Sequence, residues 1–162
     1  MEGNNWKVAT LFSYQNRYLI PEYQRHYAWN IERWHSLIKD TIEIENRKPD
    51  EPQHHWLGIF LVSEGKYVDD AQEYTVIDGQ QRLVTLRLWL AALEHTAKKA
   101  EHSLGEMKFA EIRVQDADRA EFEAALSHQW ENPRWRKHLG EIGLLGCYCY
   151  FRWGSSGSDS II

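Results

Sequence analysis

The residues best suited to chemistry form one short run, Asp78-Gly79-Gln80-Gln81-Arg82. The carboxylate of Asp78 can hold Mg²⁺ or orient a water molecule, and the guanidinium of Arg82 can bind phosphate oxygens in a bidentate fork. The amides of Gln80 and Gln81 can donate and accept hydrogen bonds around a phosphate or a water. Gly79 lets the backbone come close to a ligand. This run therefore predicts a phosphate site.

A second polar and aromatic run lies nearer the start of the chain, from residue 21 to residue 29. Its Arg25 is a further natural phosphate ligand. Tyr27 and Trp29 could stack on a base, or they could pack in the core beside the next helix. We expect the guanidinium groups of Arg25 and Arg82 to face one common pocket.

A strand and a helix must position the run at residues 78–82. Residues 74–77 alternate and are rich in β-branched and aromatic types, which predicts a strand. Beyond the run, helical spacing is shown by Leu83, Leu86, Leu90 and Leu93. A turn that opens a helix presents free N–H groups and a positive dipole end, and both favour an anion.

The same turn also fits a structural interpretation. Asp78 is a good helix N-cap, and Gln81 three residues later completes a capping-box pattern. Gly79 could serve only to relieve the turn. Spacing alone leaves both interpretations open, although Arg82 in the first helical turn opposes the dipole and invites a functional explanation.

The rest of the chain predicts a mixture of short strands and helices, and hence an α+β fold. Strands are predicted at residues 18–20, at 56–63 as a buried strand, and around 109–114, with turns at 64–66 and 69–70. Helices are predicted around Val8 to Phe12 after an Asn4 or Asn5 cap, from Ile31 to Ile42 after Asn30, and around Phe122 to Leu126 after Asp116 or Asp118. Residues 144–153 could be helical or extended.

Composition narrows the class of protein. The chain has 162 residues, enough for one domain with a core, and its net charge of −5 gives no global basic field for nucleic acid. Cys147 and Cys149 are too close for a disulfide framework and lack a second pair for zinc. We expect a cytoplasmic protein, because the first ten residues are polar and no apolar run approaches about 20 residues.

The end of the chain carries its own expectations. Residues 154–162 are rich in Gly and Ser and are predicted to be disordered. The strongly apolar segment before them normally needs further elements to cover it. We therefore expect an N-terminal part of a longer architecture, or a truncated product.

The two runs resemble the motifs of a known family. Residues 20–29 resemble Ile-Pro-x-Tyr-Gln-Arg-x-Tyr-x-Trp, and residues 77–86 resemble Ile-Asp-Gly-Gln-Gln-Arg-Leu-Thr-Thr-Leu, with Val84 in place of a common Thr. Residues 56–59 resemble the strand between them. Together they are similar to the N-terminal domain of the GmrSD restriction endonucleases, a ParB/sulfiredoxin-like family, over about residues 5–126.

The resemblance implies a small mixed sheet with flanking helices over residues 5–153, with a helical C-terminal part beginning near its end. It implies a regulatory domain that binds and hydrolyses a nucleoside triphosphate with Mg²⁺. Such a domain would serve a bacterial anti-phage restriction system that acts on modified DNA, with the nuclease supplied by another domain or subunit. The resemblance also assigns roles to residues. Catalytic roles fall to Asp78, Gln81 and Arg82, and Asp78 would hold the metal. The residues implied to bind the nucleotide are Gln24, Arg25, Asp78, Gly79, Gln80, Gln81 and Arg82.

Two other interpretations stay open. The turn at residues 78–82 could grip a DNA phosphate without hydrolysis, because both ligands present phosphate oxygens to a helix start. The chain could also be an inactive truncated remnant. No His-Asn-His or other metal-nuclease constellation is recognisable in the sequence, so we expect no DNA cleavage from this chain alone.

Overall fold

The computed structural model describes residues 3–45, 47–48, 50–51, 54–99, 108–127, 144 and 147. Its elements, in chain order, are α1 (Val8–Leu11), β1 (Asn16–Leu19), α2 (Ile31–Glu45), β2 (Leu61–Val68), β3 (Ala71–Asp78), α3 (Gln80–Lys99), β4 (Glu111–Arg113) and α4 (Asp116–Leu126). The predicted tail at 154–162 and almost all of the apolar segment at 144–153 lie outside the described residues.

The four strands form one mixed sheet in the order β2-β3-β1-β4. Strand β1 lies between β3 and β4 and is parallel to both, whereas β2 and β3 are antiparallel. The β2–β3 hairpin turns at Asp69 and Asp70, whose φ angles of 49° and 60° lie in the left-handed region that Asp tolerates better than most residues. The predicted α+β class, with a mixed sheet and flanking helices, is confirmed.

One hydrophobic core joins the central strands to the helices. Tyr18 of β1 and Val76 of β3 are almost fully buried, as is Trp34 of α2. Helix α3 is buried on more than one face, because residues two apart on a helix point to nearly opposite sides. Its buried leucines are Leu83, Leu86 and Leu88. Full burial of such side chains contributes about 1.5–3 kcal/mol each. The core therefore fixes the end of β3 and the start of α3 relative to α2.

The buried strand predicted at residues 56–63 is wrong in its bounds. The strand begins only at Leu61, and residues 54–60 have no regular secondary structure. Trp56 and Ile59 are 67% and 71% exposed, so their apolar character does not reflect burial in a sheet. The turn predicted at residues 64–66 is also wrong, because these residues belong to β2, at an irregularity in its pairing with β3.

The predicted helix caps are only partly correct. The side chain of Asn30 accepts a hydrogen bond from the backbone N–H of Arg33 at 3.3 Å, which confirms the predicted cap of α2. Helix α1 is preceded by Lys7 instead of a capping asparagine, and the side chain of Lys7 makes no capping hydrogen bond. Helix α4 follows Gln115, so Asp116 is its first residue and not its cap.

Candidate functional site

The junction between β3 and α3 depends on Gly79. Strand β3 ends at Asp78, α3 begins at Gln80, and the Gly79 between them has a φ of 94°. The Gly79 carbonyl accepts the first helical hydrogen bond, from the N–H of Leu83 at 3.0 Å. A Cβ at this position would lie 2.9 Å from Cδ1 of Phe60. Both the backbone angle and the close contact therefore require glycine.

Asp78 does not cap the helix. It is the last residue of β3, where it pairs with Leu61, and its side chain is exposed. Within the described residues, its carboxylate has neither a hydrogen bond nor an ion pair. The capping-box interpretation is wrong because the strand continues one residue further than the cap requires. The carboxylate is left open to solvent at the edge of a cleft.

The two glutamines after Gly79 hold a neighbouring segment in place. The amide nitrogen of Gln80 donates to the carbonyl of Arg25 at 2.8 Å. Gln81 makes two such bonds, accepting from the N–H of Ala28 at 2.8 Å and donating to the carbonyl of His26 at 3.1 Å. Segment 25–28 therefore lies directly against the start of α3, although it is distant in sequence.

Two further glutamines complete this support. The amide of Gln24 donates to the carbonyl of Ile77 at 2.9 Å, which ties the segment to the end of β3. The amide of Gln115, between β4 and α4, donates to the carbonyls of Gln24 at 2.7 Å and Arg25 at 3.1 Å. Sequence reasoning missed Gln115, because nothing in its local pattern distinguishes it from a solvent-exposed linker residue.

Tyr27 anchors the segment from within the core. Its hydroxyl accepts a hydrogen bond from the indole N–H of Trp34 at 2.9 Å and shares one with the hydroxyl of Thr85 at 2.5 Å. Thr85 in turn donates to the carbonyl of Gln81 at 2.7 Å. Burial raises the pKa of Tyr27 well above its ordinary value, so the phenol stays neutral. The core-packing interpretation is thus confirmed for Tyr27.

These elements enclose a cleft of about 570 Å³, a size typical of small-molecule sites. All seven residues expected to bind a nucleotide line it, so Arg25 and Arg82 share one cleft as expected. Sequence reasoning missed Arg33 of α2 and Asn30 as lining residues. The full lining is Gln24, Arg25, Ala28, Trp29, Asn30, Arg33, Asp78, Gly79, Gln80, Gln81 and Arg82.

The loop before β2 holds Arg82 in place. The Arg82 guanidinium lies 5.4 Å from the ring centroid of Phe60 and donates to the carbonyl of Ile59 at 3.4 Å. Gly58 has a φ of 88°, and a Cβ there would lie 2.7 Å from Nη1 of Arg82. The residues that we expected to form a strand therefore pack against this arginine instead.

The cleft carries an excess of positive charge. Arg25, Arg33 and Arg82 line it together with one carboxylate, that of Asp78. Among the described residues, no carboxylate lies within 4.0 Å of any of these three guanidinium groups. The chain as a whole has a net charge of −5, so this local excess is not a consequence of composition.

Several arginines outside the cleft are paired with carboxylates, whereas the guanidinium of Arg87 lies over the ring of Phe109. Arg17 lies 2.7 Å from Glu111 and 3.4 Å from Glu73, and Arg113 lies 2.7 Å from Glu111. Arg119 pairs with Asp116 one turn away on α4. Arg17, Arg113 and Arg119 thus have carboxylate partners within the described residues, whereas Arg25, Arg33 and Arg82 have none within 4.0 Å.

The donor set fits a magnesium ion only if a ligand supplies further oxygens. In the part of the chain that the structure describes, no group of three or more His, Cys, Asp or Glu side chains could hold a metal ion. Mg²⁺ commonly uses one or two carboxylates together with substrate phosphates and water. Asp78 would supply the one carboxylate of such a site, and a phosphate-bearing ligand would have to supply the other oxygens.

Comparison with known proteins identifies the family to which these motifs belong. The family model of the GmrSD restriction endonuclease, N-terminal domain, matches residues 8–142, which include every residue that lines the cleft. A search of curated proteins found no significant match. Among the described residues, none of the helices has both the length and the apolar character needed to cross a membrane.

Proposed function

This chain belongs to the GmrSD restriction endonuclease N-terminal domain family, and on that premise we propose that its cleft binds and hydrolyses a nucleoside triphosphate with Mg²⁺. The family makes the chain a component of a restriction system, in the setting of phage defence. In our proposal, hydrolysis regulates a nuclease domain or subunit that acts on modified DNA. The supporting observation is the grouping of three arginines without carboxylate partners beside Asp78.

Phosphate binding follows from the first turn of α3 and the arginines around it. The first backbone N–H groups of a helix have no partner within the helix, and the dipole there is positive. Arg82 stands in that turn, and Arg25 reaches the same cleft from the supported segment. Their guanidinium groups can each bind two phosphate oxygens. A triphosphate would thus meet donors from two sides.

Hydrolysis needs a water oxygen to attack the terminal phosphorus while the bond from that phosphorus to the bridging oxygen breaks. The products are a nucleoside diphosphate and inorganic phosphate. Asp78 has the position and the free carboxylate to hold Mg²⁺ or to orient that water. When bound, Mg²⁺ would neutralise charge on the phosphate oxygens. We assign to Arg82 the stabilisation of charge on the transferred phosphoryl group.

The glutamines support the site mainly through the backbone. Both amide atoms of Gln81 are hydrogen-bonded to segment 26–28, and Gln80 and Gln24 each donate to a carbonyl. We propose that they position Arg25 against the start of α3. A direct catalytic role for Gln81 stays a prediction. Trp29, which lines the cleft and is partly buried, is the ring that we assign to a nucleobase.

The role of Asp78 can be tested without disturbing the fold. Because its carboxylate caps nothing, Asp78→Asn and Asp78→Ala should both melt within a few degrees of the wild-type chain. We expect both to lose most release of phosphate from ATP or GTP in the presence of Mg²⁺. Asp70→Asn is the matched control, because it also removes an exposed carboxylate, in the turn that precedes β3. Asn tolerates the left-handed backbone conformation of Asp70. Unchanged hydrolysis in the Asp78 variants would remove Asp78 from the mechanism.

The DNA-phosphate alternative makes a different prediction for the same arginines. Binding through DNA phosphates should weaken steeply with salt, because each contact releases counterions. Direct titration with ATP or GTP should then show no nucleotide binding, since the ligand would be the DNA backbone. A salt titration of DNA affinity, set beside a nucleotide-binding assay, therefore distinguishes the two functions.

A further inference from the structure

We propose that Arg33 is a third phosphate ligand of the cleft, and that it makes the site select a polyphosphate over a nucleoside monophosphate. This inference rests on the proposed nucleotide-binding function and adds the class of ligand. Arg33 lies outside the two sequence motifs that indicated the site, and it lines the cleft with Arg25 and Arg82.

The position of Arg33 is fixed by the start of α2. It is the third residue of that helix, and its backbone N–H donates to the carbonyl of Asn30 at 3.1 Å and to its side-chain oxygen at 3.3 Å. Asn30 itself lines the cleft. Arg82 is likewise the third residue of α3. Two helix starts therefore each bring one arginine to the same cleft.

Both arginines stand where a helix least favours a cation. The N-terminal end of a helix dipole is positive, so an arginine in the first turn is repelled by it. Neither guanidinium has a carboxylate within 4.0 Å among the described residues, and Arg25 adds a third unpaired charge to the same lining. An anion in the cleft would offset all of these repulsions together.

Three cations from separate segments around one cleft favour an anion with several phosphate groups. Arg25, Arg33 and Arg82 come from three segments that surround a cleft of about 570 Å³. One phosphate group would fill only a small part of that volume. A chain of two or three phosphates can reach several guanidinium groups at once. The third arginine therefore raises the affinity for a polyphosphate more than the affinity for a monophosphate.

Helix α2 offers a matched control for this role. Lys39 lies on the same helix but does not line the cleft, and its ammonium pairs with Glu43 at 3.7 Å on the exposed surface. Lys39→Gln removes one positive charge from the same helix, as Arg33→Gln does. Arg33→Lys keeps the charge but loses the planar fork that binds two oxygens.

The test is calorimetric titration of the 162-residue chain with ATP, ADP, AMP and inorganic tripolyphosphate at fixed ionic strength. We expect Arg33→Gln to weaken ATP and tripolyphosphate about tenfold or more, and to leave AMP within about twofold. Arg33→Lys should recover part of the loss. Lys39→Gln should bind all four like the wild-type chain, and all variants should melt at similar temperatures.

The outcomes separate this inference from the function on which it rests. If ATP binds the wild-type chain and Arg33→Gln equally while Arg82→Gln loses binding, the role of Arg33 is overturned and the proposed function stands. An equal loss of AMP, ADP and ATP in Arg33→Gln would overturn the selection for polyphosphate. If none of the four probes binds the wild-type chain, both the inference and the proposed function fail.

Discussion

At the scale of single residues, the side chains of the two motifs fall into two groups: those that already have hydrogen-bond partners within the chain, and those that do not. The amides of Gln24, Gln80 and Gln81 are used to hold the backbone of a neighbouring segment. Asp78 and Arg25 have no side-chain partner among the described residues and line the cleft. We propose that the first group positions the site and that the second group meets the ligand.

Gln81→Met tests the positioning role, because Met keeps a similar length and removes both amide hydrogen bonds. The N–H of Ala28 and the carbonyl of His26 would lose their side-chain partner. We expect a loss of about 1–3 kcal/mol in the free energy of unfolding, measured by urea denaturation. Gln15→Met, at an exposed position, is the control. Equal stability of the two variants would show that the Gln81 bonds contribute little.

At the scale of elements, the β3–α3 unit could be predicted and the segment before β2 could not. The change from alternating to helical periodicity at residues 77–83 is local, so sequence alone locates the junction. The predicted N-cap of α3, Asp78, is one residue too early, because pairing with Leu61 extends β3 through Asp78. The apolar run at 56–60 fits a strand equally well, and only tertiary contacts show that Phe60 packs against Arg82 and Gly79.

The sheet also contains an ion-pair group with a predictable pH dependence. Arg17 of β1 lies between Glu73 of β3 and Glu111 of β4, and Arg113 contacts Glu111 as well. Burial acts to raise the pKa of the Glu111 carboxyl, but hydrogen bonds and charges from Arg113 and Arg17 outweigh it and lower that pKa. The stabilisation is therefore present above the unfolded value of about 4.3 and is lost as the pH falls through the folded value.

Glu111→Gln should consequently be less stable than the wild-type chain at pH 7, and the difference should shrink below about pH 4. The effect should be small, below about 1 kcal/mol, because solvent screens a half-exposed carboxylate. Urea denaturation at both pH values measures it. Glu121→Gln, on the exposed face of α4, should show no such convergence. A difference that grows as the pH falls would contradict the assigned direction.

At the scale of the whole molecule, the site is assembled from segments that are distant in sequence. The two motifs identify Arg25 and the run at residues 78–82 without a structure. They could not identify Arg33, Gln115 or Phe60, because each reaches the site only through the packing of another element. The expected domain bounds at 5–153, the truncation and the cytoplasmic location stay predictions.

The 162-residue chain should not cut DNA by itself. The sequence has no recognisable metal-nuclease constellation, and the described residues hold no cluster of three or more metal-ligating side chains. Incubation with modified and unmodified plasmid, Mg²⁺ and each nucleotide should leave both plasmids intact on a gel. Cleavage that co-purifies with the protein and vanishes in Arg82→Ala would show that the chain carries a nuclease after all.

Calorimetric titration of ATP and GTP with Mg²⁺ measures whether the arginine-lined cleft binds a nucleoside triphosphate. We predict one-to-one binding of at least one nucleotide to the wild-type chain. Arg25→Gln and Arg82→Gln should each weaken it about tenfold or more, at unchanged melting temperature. Arg119→Gln, which removes a paired arginine on α4, should bind normally. Absence of binding to the folded wild-type chain, or equal binding by all variants, would contradict the account.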